Sequence, residues 1–244
     1  MRFKSNFCLK AIFAFFLIWS SVAACAQEIE GFQFVGSRQY AYNSKGERIE
    51  KRTFNAKGSL LSFVHYKYDE NGNKIESLKY QSDSIIQKRY VYFYNLENQK
   101  VKSIKCDYIK GKESSKVYLH NSRGEISRTN YYSGGRLLQY TELLYSDKGE
   151  LDSRKNFNKD GELTSENHFE YKYQNHRIIE KKKFSGADNL LSTTTYLFDK
   201  KGRKVSYSNS YVSSKRSNKK RFYQYNAKGQ CVGSKVYEFI STKQ

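Results

Sequence analysis

Aromatic rings recur at alternate positions along most of this chain. Tyr40/Tyr42, Tyr66/Tyr68, Tyr92/Tyr94, Tyr196/Phe198 and Tyr223/Tyr225 are such pairs, and a period of two places both members on one face of a β-strand. The pairs run into tetrads with turn chemistry: Asn43-Ser44-Lys45-Gly46, Asp69-Glu70-Asn71-Gly72, Asn95-Leu96-Glu97-Asn98 and Asn121-Ser122-Arg123-Gly124. Ser146-Asp147-Lys148-Gly149, a degenerate Gln174-Asn175-His176, Asp199-Lys200-Lys201-Gly202 and Asn226-Ala227-Lys228-Gly229 follow. Asn and Asp close local side-chain turns, and Gly supplies the positive φ that ends them. The last positions of the first five tetrads are spaced 26, 26, 26 and 25 residues apart. Two steps through the degenerate copy cover 53 residues, and the last step is 27. Eight copies at one period define a repeat protein.

A second turn falls about 12 residues after the first, at Gly58, Asp83-Ser84, Gly111, Gly134-Gly135, Gly161 and Gly186. Twelve of the 15 glycines therefore sit at predicted turns, and each unit is two strands. The expected fold is all-β: an antiparallel meander of about 16 strands built from eight two-strand repeats. Open sheets beyond roughly ten strands curl or split, so a curved or rolled single sheet is expected, with a closed barrel as the alternative. An apolar residue follows three positions after the Gly (Ile49, Ile75, Val101, Val205, Val232), and an aromatic usually follows at eight (Phe54, Tyr80, Phe157, Tyr237), with Cys106 there once. Three and eight differ by an odd number. Either both faces are partly apolar or a β-bulge shifts the phase. Glu47-Arg48-Ile49-Glu50-Lys51-Arg52 puts charge on both faces, which disfavours a lipid-embedded barrel.

The stretch Tyr66-Lys67-Tyr68-Asp69-Glu70-Asn71-Gly72-Asn73-Lys74-Ile75 resembles the YD repeat of bacterial RHS-type proteins, Tyr-x-Tyr-Asp-x-x-Gly followed by an apolar residue. Asp199 to Val205 is a second match. Asn130-Tyr131-Tyr132-Ser133-Gly134-Gly135-Arg136-Leu137 resembles variant MORN repeats. The resemblance implies a hairpin-repeat fold in a cell-envelope or surface setting. RHS-type proteins build curved β-shells around toxic cargo, a role not expected of a chain this short.

Residues 1–26 read as an export signal. Arg2, Lys4 and Lys10 precede an unbroken apolar run from Ala11 to Trp19, followed by small residues. Nine helical residues span about 14 Å, short of the roughly 30 Å hydrocarbon layer but right for a signal core. Ala24-Cys25-Ala26 is a cleavage site that would release a soluble chain, making 1–26 the signal. Val22-Ala23-Ala24-Cys25 resembles a lipobox, making 1–24 the signal and Cys25 a lipid anchor at the outer membrane or cell surface. Residues 25–38 then form a short leader and 39–244 a single repeat domain. Without residues 1–24 the formal charge falls from +20 to +17.

An aromatic content of 16% excludes a disordered chain, and the lack of Pro suits continuous ladders. Nothing in the sequence makes a catalytic constellation. His65, His120, His168 and His176 are scattered without metal-ligand spacing. Asp69-Glu70-Asn71-Gly72-Asn73 has alternating oxygens, but its Gly is misplaced for a Ca²⁺ loop. Neither cofactor nor metal is expected. Cys106 and Cys231 lie five units apart, about 48 Å along an open sheet, too far for a disulfide.

Two binding features remain. Lys200, Lys201, Arg203, Lys204, Lys215, Arg216, Lys219, Lys220 and Arg221 form a basic cluster with Asp199 as its one acid, preceded by Lys181-Lys182-Lys183. Such a cluster attracts polyanions: lipopolysaccharide, anionic glycans or released DNA, without sequence-specific nucleic-acid recognition. It also reads as a solvated face whose Lys guard sheet edges. The tyrosine ladder could stack on sugars or bases, although cross-strand packing is its commoner use. The functional expectation is a non-enzymatic envelope binding or scaffold protein presenting a repeating Tyr- and Lys-rich surface to a polyanion. The alternative is a protein-recognition module similar to variant MORN-repeat antitoxins.

Overall fold

The computed structural model describes residue 29 and residues 31–186, 188–213 and 216–240; the signal segment, Cys25 and Lys215 lie outside them. Among the described residues there are sixteen strands and no helix. They are β1 Phe32–Tyr42, β2 Arg48–Asn55, β3 Leu60–Tyr68, β4 Lys74–Gln81, β5 Ile86–Tyr94, β6 Lys100–Asp107, β7 Lys112–His120 and β8 Ile126–Ser133. The second half is β9 Arg136–Tyr145, β10 Leu151–Asn158, β11 Leu163–Gln174, β12 Arg177–Ser185, β13 Asn189–Phe198, β14 Lys204–Tyr211, β15 Lys219–Tyr225 and β16 Cys231–Phe239.

Each strand pairs antiparallel with the next, and β1 pairs with β16. The sheet therefore closes into a barrel, which corrects the expectation of an open curved sheet. The closing ladder runs from Phe32↔Phe239 to Gln39↔Gly233. Residues 32–38, expected to belong to a leader, are thus the strand half that seals the barrel. No repeat turn precedes this segment, so alignment on turns did not reveal it. Phe32 and Phe239 meet edge-on at 5.4 Å, and Tyr237 packs against Phe34 at 5.5 Å and Phe222 at 5.7 Å. Gly36 is required at this seam. Its φ is +152°, and a Cβ would stand 2.3 Å from the Phe54 carbonyl oxygen.

All the tetrads but the degenerate copy close by one recurring pair of backbone bonds. In the first, the Gly46 N–H donates to the Asn43 carbonyl at 3.1 Å, and the Asn43 N–H donates to the Glu47 carbonyl at 2.9 Å. The Glu47 N–H donates to Asn43 Oδ1 at 2.9 Å, and Asn43 Nδ2 donates to Glu47 Oε2 at 2.6 Å. Gly46, at φ +83°, ends the turn in the left-handed region.

The odd spacing resolves as a bulge. Across β1 and β2, Ala41 faces Glu50 while the next residue, Tyr42, faces Arg48, so Ile49 is unopposed. The same jump leaves Ile75, Val101, Ser127, Asp152, Ile179, Val205 and Val232 unopposed. Every one stands three places after the tetrad's end. An extra residue near one rim bends and twists each hairpin, the local deformation that lets a sheet curl shut.

In six of the eight units a tyrosine just before the tetrad ties neighbouring units together. The Tyr68 hydroxyl donates to the Arg48 carbonyl and Tyr94 to the Lys74 carbonyl, both at 2.9 Å. Tyr145, Tyr171 and Tyr225 repeat the bond to Ile126, Leu151 and Lys204. Tyr42 donates to the Cys231 carbonyl at 2.7 Å across the closing seam. Cys106 and Cys231 are free thiols.

Candidate anion-binding lumen

Residues that face each other across a ladder share a face of the sheet. Tyr40, Lys51, Val64, Lys79, Lys88 and Asp107 follow one another across successive strands on one face. Ala41, Glu50 and His65 lie on the other, as do Lys67 and Glu76. The first face is the concave one. Lys74 Nζ lies over Tyr66 on one neighbouring strand and Tyr92 on the other, at 5.4 and 4.8 Å. Lys51 is influenced by Arg221, three strand intervals away. Side chains of this face from β5, β6, β7 and β8 bound a cavity of about 510 Å³. Sixteen strands about 4.8 Å apart and tilted by about 40° give a backbone tube roughly 30 Å across, wide enough to leave a water-filled interior.

The outer wall sets most of its cations beside acids. Glu50 bonds Arg52 at 2.6 Å and His65 at 2.9 Å, and Glu76 bonds Arg89 at 2.6 Å and Lys67 at 2.9 Å. Arg128–Glu142, Lys155–Glu166 and Lys182–Glu180 continue the series. Stacked rings, Phe63–Tyr80, Tyr140–Phe157 and His168–Phe184, each at 4.7 Å, lie on the same wall. Two of the scattered histidines therefore have structural places: His168 in a ring pair, His65 on Glu50. Among the described residues no group of three His, Cys, Asp or Glu could hold a metal ion.

The inner wall is not balanced. At its paired positions the acids are Asp107 and Glu238, both toward the second-turn rim, where they hold Lys88, Lys105 and Lys219. Among the described residues Arg38, Arg48, Lys51, Lys74, Lys79, Lys100, Lys116, Arg154, Lys181, Lys183, Lys204 and Arg221 have no carboxylate within ion-pair distance. Many lie on rings instead: Arg48 over Tyr40 at 4.3 Å, Lys100 over Tyr118 at 4.4 Å, Lys116 over Tyr131 at 4.7 Å, Lys181 over Phe169 at 4.1 Å and Arg221 over Tyr207 at 5.4 Å. Ring faces attract cations but do not neutralise them.

Burial pushes the Lys51, Lys74, Lys100, Lys181 and Lys183 ammoniums below the ordinary lysine value. Neighbouring cations push the same way: Arg38 and Lys79 on Lys51, Arg48 on Lys74, and Arg154 on Lys181 and Lys183. Tyr92 opposes the shift at Lys100. Arg48 Nε and Arg221 Nε are buried without a hydrogen-bond partner. Half-buried cations that repel one another, with unsatisfied donors among them, form a surface that gains by accepting negative charge.

The basic cluster from the sequence is divided among several places. Lys200 and Lys201 are exposed in the β13–β14 turn. Arg203 is held by Asp199 at 2.7 Å and lies over Tyr225 at 4.8 Å. Lys204 enters the lumen beside Tyr196, at 4.5 Å. At the far rim Arg216 lies over Tyr211 at 5.5 Å, and Lys219 is bonded to Glu238 at 2.5 Å. Lys220 is on the outer wall over Phe32 at 4.4 Å, while Arg221 faces inward. The cluster is therefore no single patch, because β14 carries its two halves to opposite rims. The inner cations it omitted share repeat columns: Arg48, Lys74 and Lys100 stand two places after the tetrad's end, as Lys204 does, and Lys51, Arg154 and Lys181 stand five places after. Comparing units column by column would have found them.

No family model matches the chain, and no curated protein sequence matches it. The YD and variant MORN resemblances stay with the residues that carry them. Among solved structures the chain is similar to a porin-like protein from Bacteroides uniformis ATCC 8492, with 12% identity, 85% of this chain and 97% of that one covered, and a TM-score of 0.48. A porin-like protein from Bacteroides vulgatus ATCC 8482 gives 9% identity, coverages of 87% and 100%, and 0.41. TcdB2-TccC3 without its hypervariable C-terminal region gives 15% identity and 0.24, with 79% of this chain covered against 12% of that one. These scores fall below 0.5, and the reading of the lumen rests on its own side chains.

Proposed function

We propose that this chain is a non-enzymatic envelope binding protein that holds an anionic polymer or oligomer inside its barrel. One observation carries the reading: strands that pair cations with acids on the outer wall place ring-backed cations without carboxylate partners on the inner wall. The repeat sets such groups at one height on successive hairpins, so a chain of negative charges could meet several at once, and binding would gain by multivalency. Export follows the reading of residues 1–26, with Cys25 as the lipid-anchor position in the lipoprotein form. The outer ion pairs sit in mid-strand, where a lipid-embedded barrel needs an apolar band, so the barrel is read as standing in water.

The test is binding of the purified protein to fluorescent polygalacturonate and to neutral dextran at about 50 and 200 mM salt. Binding of the anionic polymer that weakens steeply with salt, with none of dextran, is expected. Equal binding of both, or none of either, would overturn the reading.

A further inference from the structure

The lumenal cavity of about 510 Å³ between β5 and β8 falls in the size range of small-ligand sites, about 300–1,000 Å³. Its lining joins three kinds of group. Ser103, Ser114 and the tyrosine phenols bring hydroxyls that both donate and accept. Two phenols are fixed against the wall, Tyr118 by Ser103 at 3.0 Å and Tyr92 by Ser77 at 3.2 Å. Of its two lysines, Lys105 is held by Asp107 at 3.4 Å, while Lys116, over the Tyr131 ring at 4.7 Å, has no carboxylate partner among the described residues. Lysines lie over the rings of Tyr92 and Tyr118, at 4.8 and 4.4 Å. Tyr90 lines the cavity with no cation over its ring among the described residues.

We propose that this cavity is a subsite for an acidic disaccharide unit, one sugar ring against Tyr90 and the carboxylate of the next on Lys116. The inference rests on the anionic-ligand reading above and names its ligand class. Three features select sugar acids. Two strand intervals, about 10 Å of wall, separate Tyr90 on β5 from Lys116 on β7, more than one inorganic anion spans. The hydroxyl lining matches the mixed donors and acceptors of a sugar. Asn, Gln and carboxylate side chains, which read the edges of nucleobases, are not in the lining.

The experiment is calorimetric titration of the full-length protein with digalacturonate, cellobiose and inorganic sulfate. Digalacturonate is expected to saturate one site, with the other two at least about tenfold weaker. Tyr90→Leu, which keeps apolar bulk without the ring, and Lys116→Met should each weaken digalacturonate by about tenfold. Lys155→Met, on the outer wall of β10, should leave it unchanged. Sulfate binding as tightly as the disaccharide, no effect of Tyr90→Leu, or an equal loss in Lys155→Met would each overturn the subsite. If polygalacturonate binds and digalacturonate does not, the subsite fails and the lumen reading stands. If neither binds, the lumen reading itself fails.

Discussion

On the outer face of β4, Glu76 gathers Lys67 from β3 and Arg89 from β5. On the inner face of the same strand, Lys74 and Lys79 have no carboxylate partner among the described residues, and burial holds the Lys74 ammonium below its ordinary value. The backbone and its environment are shared, so the difference lies in which columns of the repeat carry acids. Glu50, Glu142, Glu166 and Glu180 are all on the outer wall beside basic neighbours. A wall that only needed to be soluble would mix its signs on both faces, as the outer one does. The inner wall keeps most of its cations apart from acids at the cost of mutual repulsion, and a negatively charged occupant removes that cost.

The contrast depends on closure, and breaking closure should have the largest effect. Gly36→Ala drives a methyl into the Phe54 carbonyl and is expected to destabilise by at least about 3 kcal/mol. The inner wall then ceases to be enclosed, so polygalacturonate binding should fall with it. Urea unfolding and the binding assay on one preparation check this, and an unchanged midpoint would contradict the seam.

A matched pair of tyrosines sharpens the comparison further. Tyr94→Phe removes the inner hydroxyl that donates to the Lys74 carbonyl and should cost about 1 kcal/mol. Tyr80→Phe on the outer wall keeps its ring stacked on Phe63, and its effect should stay within about 0.5 kcal/mol. Equal losses by denaturant titration would mean that the latches contribute nothing special.

The two walls should also titrate at opposite ends of the pH scale. Hydrogen bonding from Lys67, with Arg89 beside it, holds the Glu76 carboxyl below its usual range. Its contribution is present above the ordinary value of about 4.3 and lost as pH falls through the lowered one. For the inner lysines the unfolded chain binds more protons between the lowered value and about 10.4, so stability rises with pH through that window. Burial works the other way on the inner tyrosines, raising Tyr171 to about 12. The folded chain then keeps that proton as the unfolded chain loses it, and stability falls from about pH 10 upward. The melting temperature should therefore rise through the lysine window and fall above about pH 10, and polygalacturonate should flatten that rise. A profile with no rise before the fall would contradict the burial of those lysines.

Much of the fold was legible because hairpin grammar is local. The Asn/Gly tetrads and alternate rings gave the strands, their order and their period. Closure was not legible, since the pairing of Phe32–Gln39 with Gly233–Phe239 is a contact between chain ends with no turn between them. The faces were hidden by the bulge at Ile49 and its counterparts, which reverses the phase inside every second strand. Once that phase is corrected, Lys51 and Glu50 fall on opposite walls. The basic stretch 199–221 drew attention because its charges are adjacent in sequence, whereas the lumen collects cations that stand one per hairpin.

The most direct measurement is polygalacturonate affinity and its salt dependence in two doubly substituted proteins. Lys181→Met with Lys183→Met removes two inner cations, and Lys155→Met with Lys182→Met removes two outer ones. Formal charge changes equally in both, so any difference reports the wall. The inner pair should weaken binding by about tenfold or more and lower the salt slope by about two, with the outer pair near wild type. Equal losses from the two pairs, or a larger loss from the outer one, would contradict an anion held in the lumen.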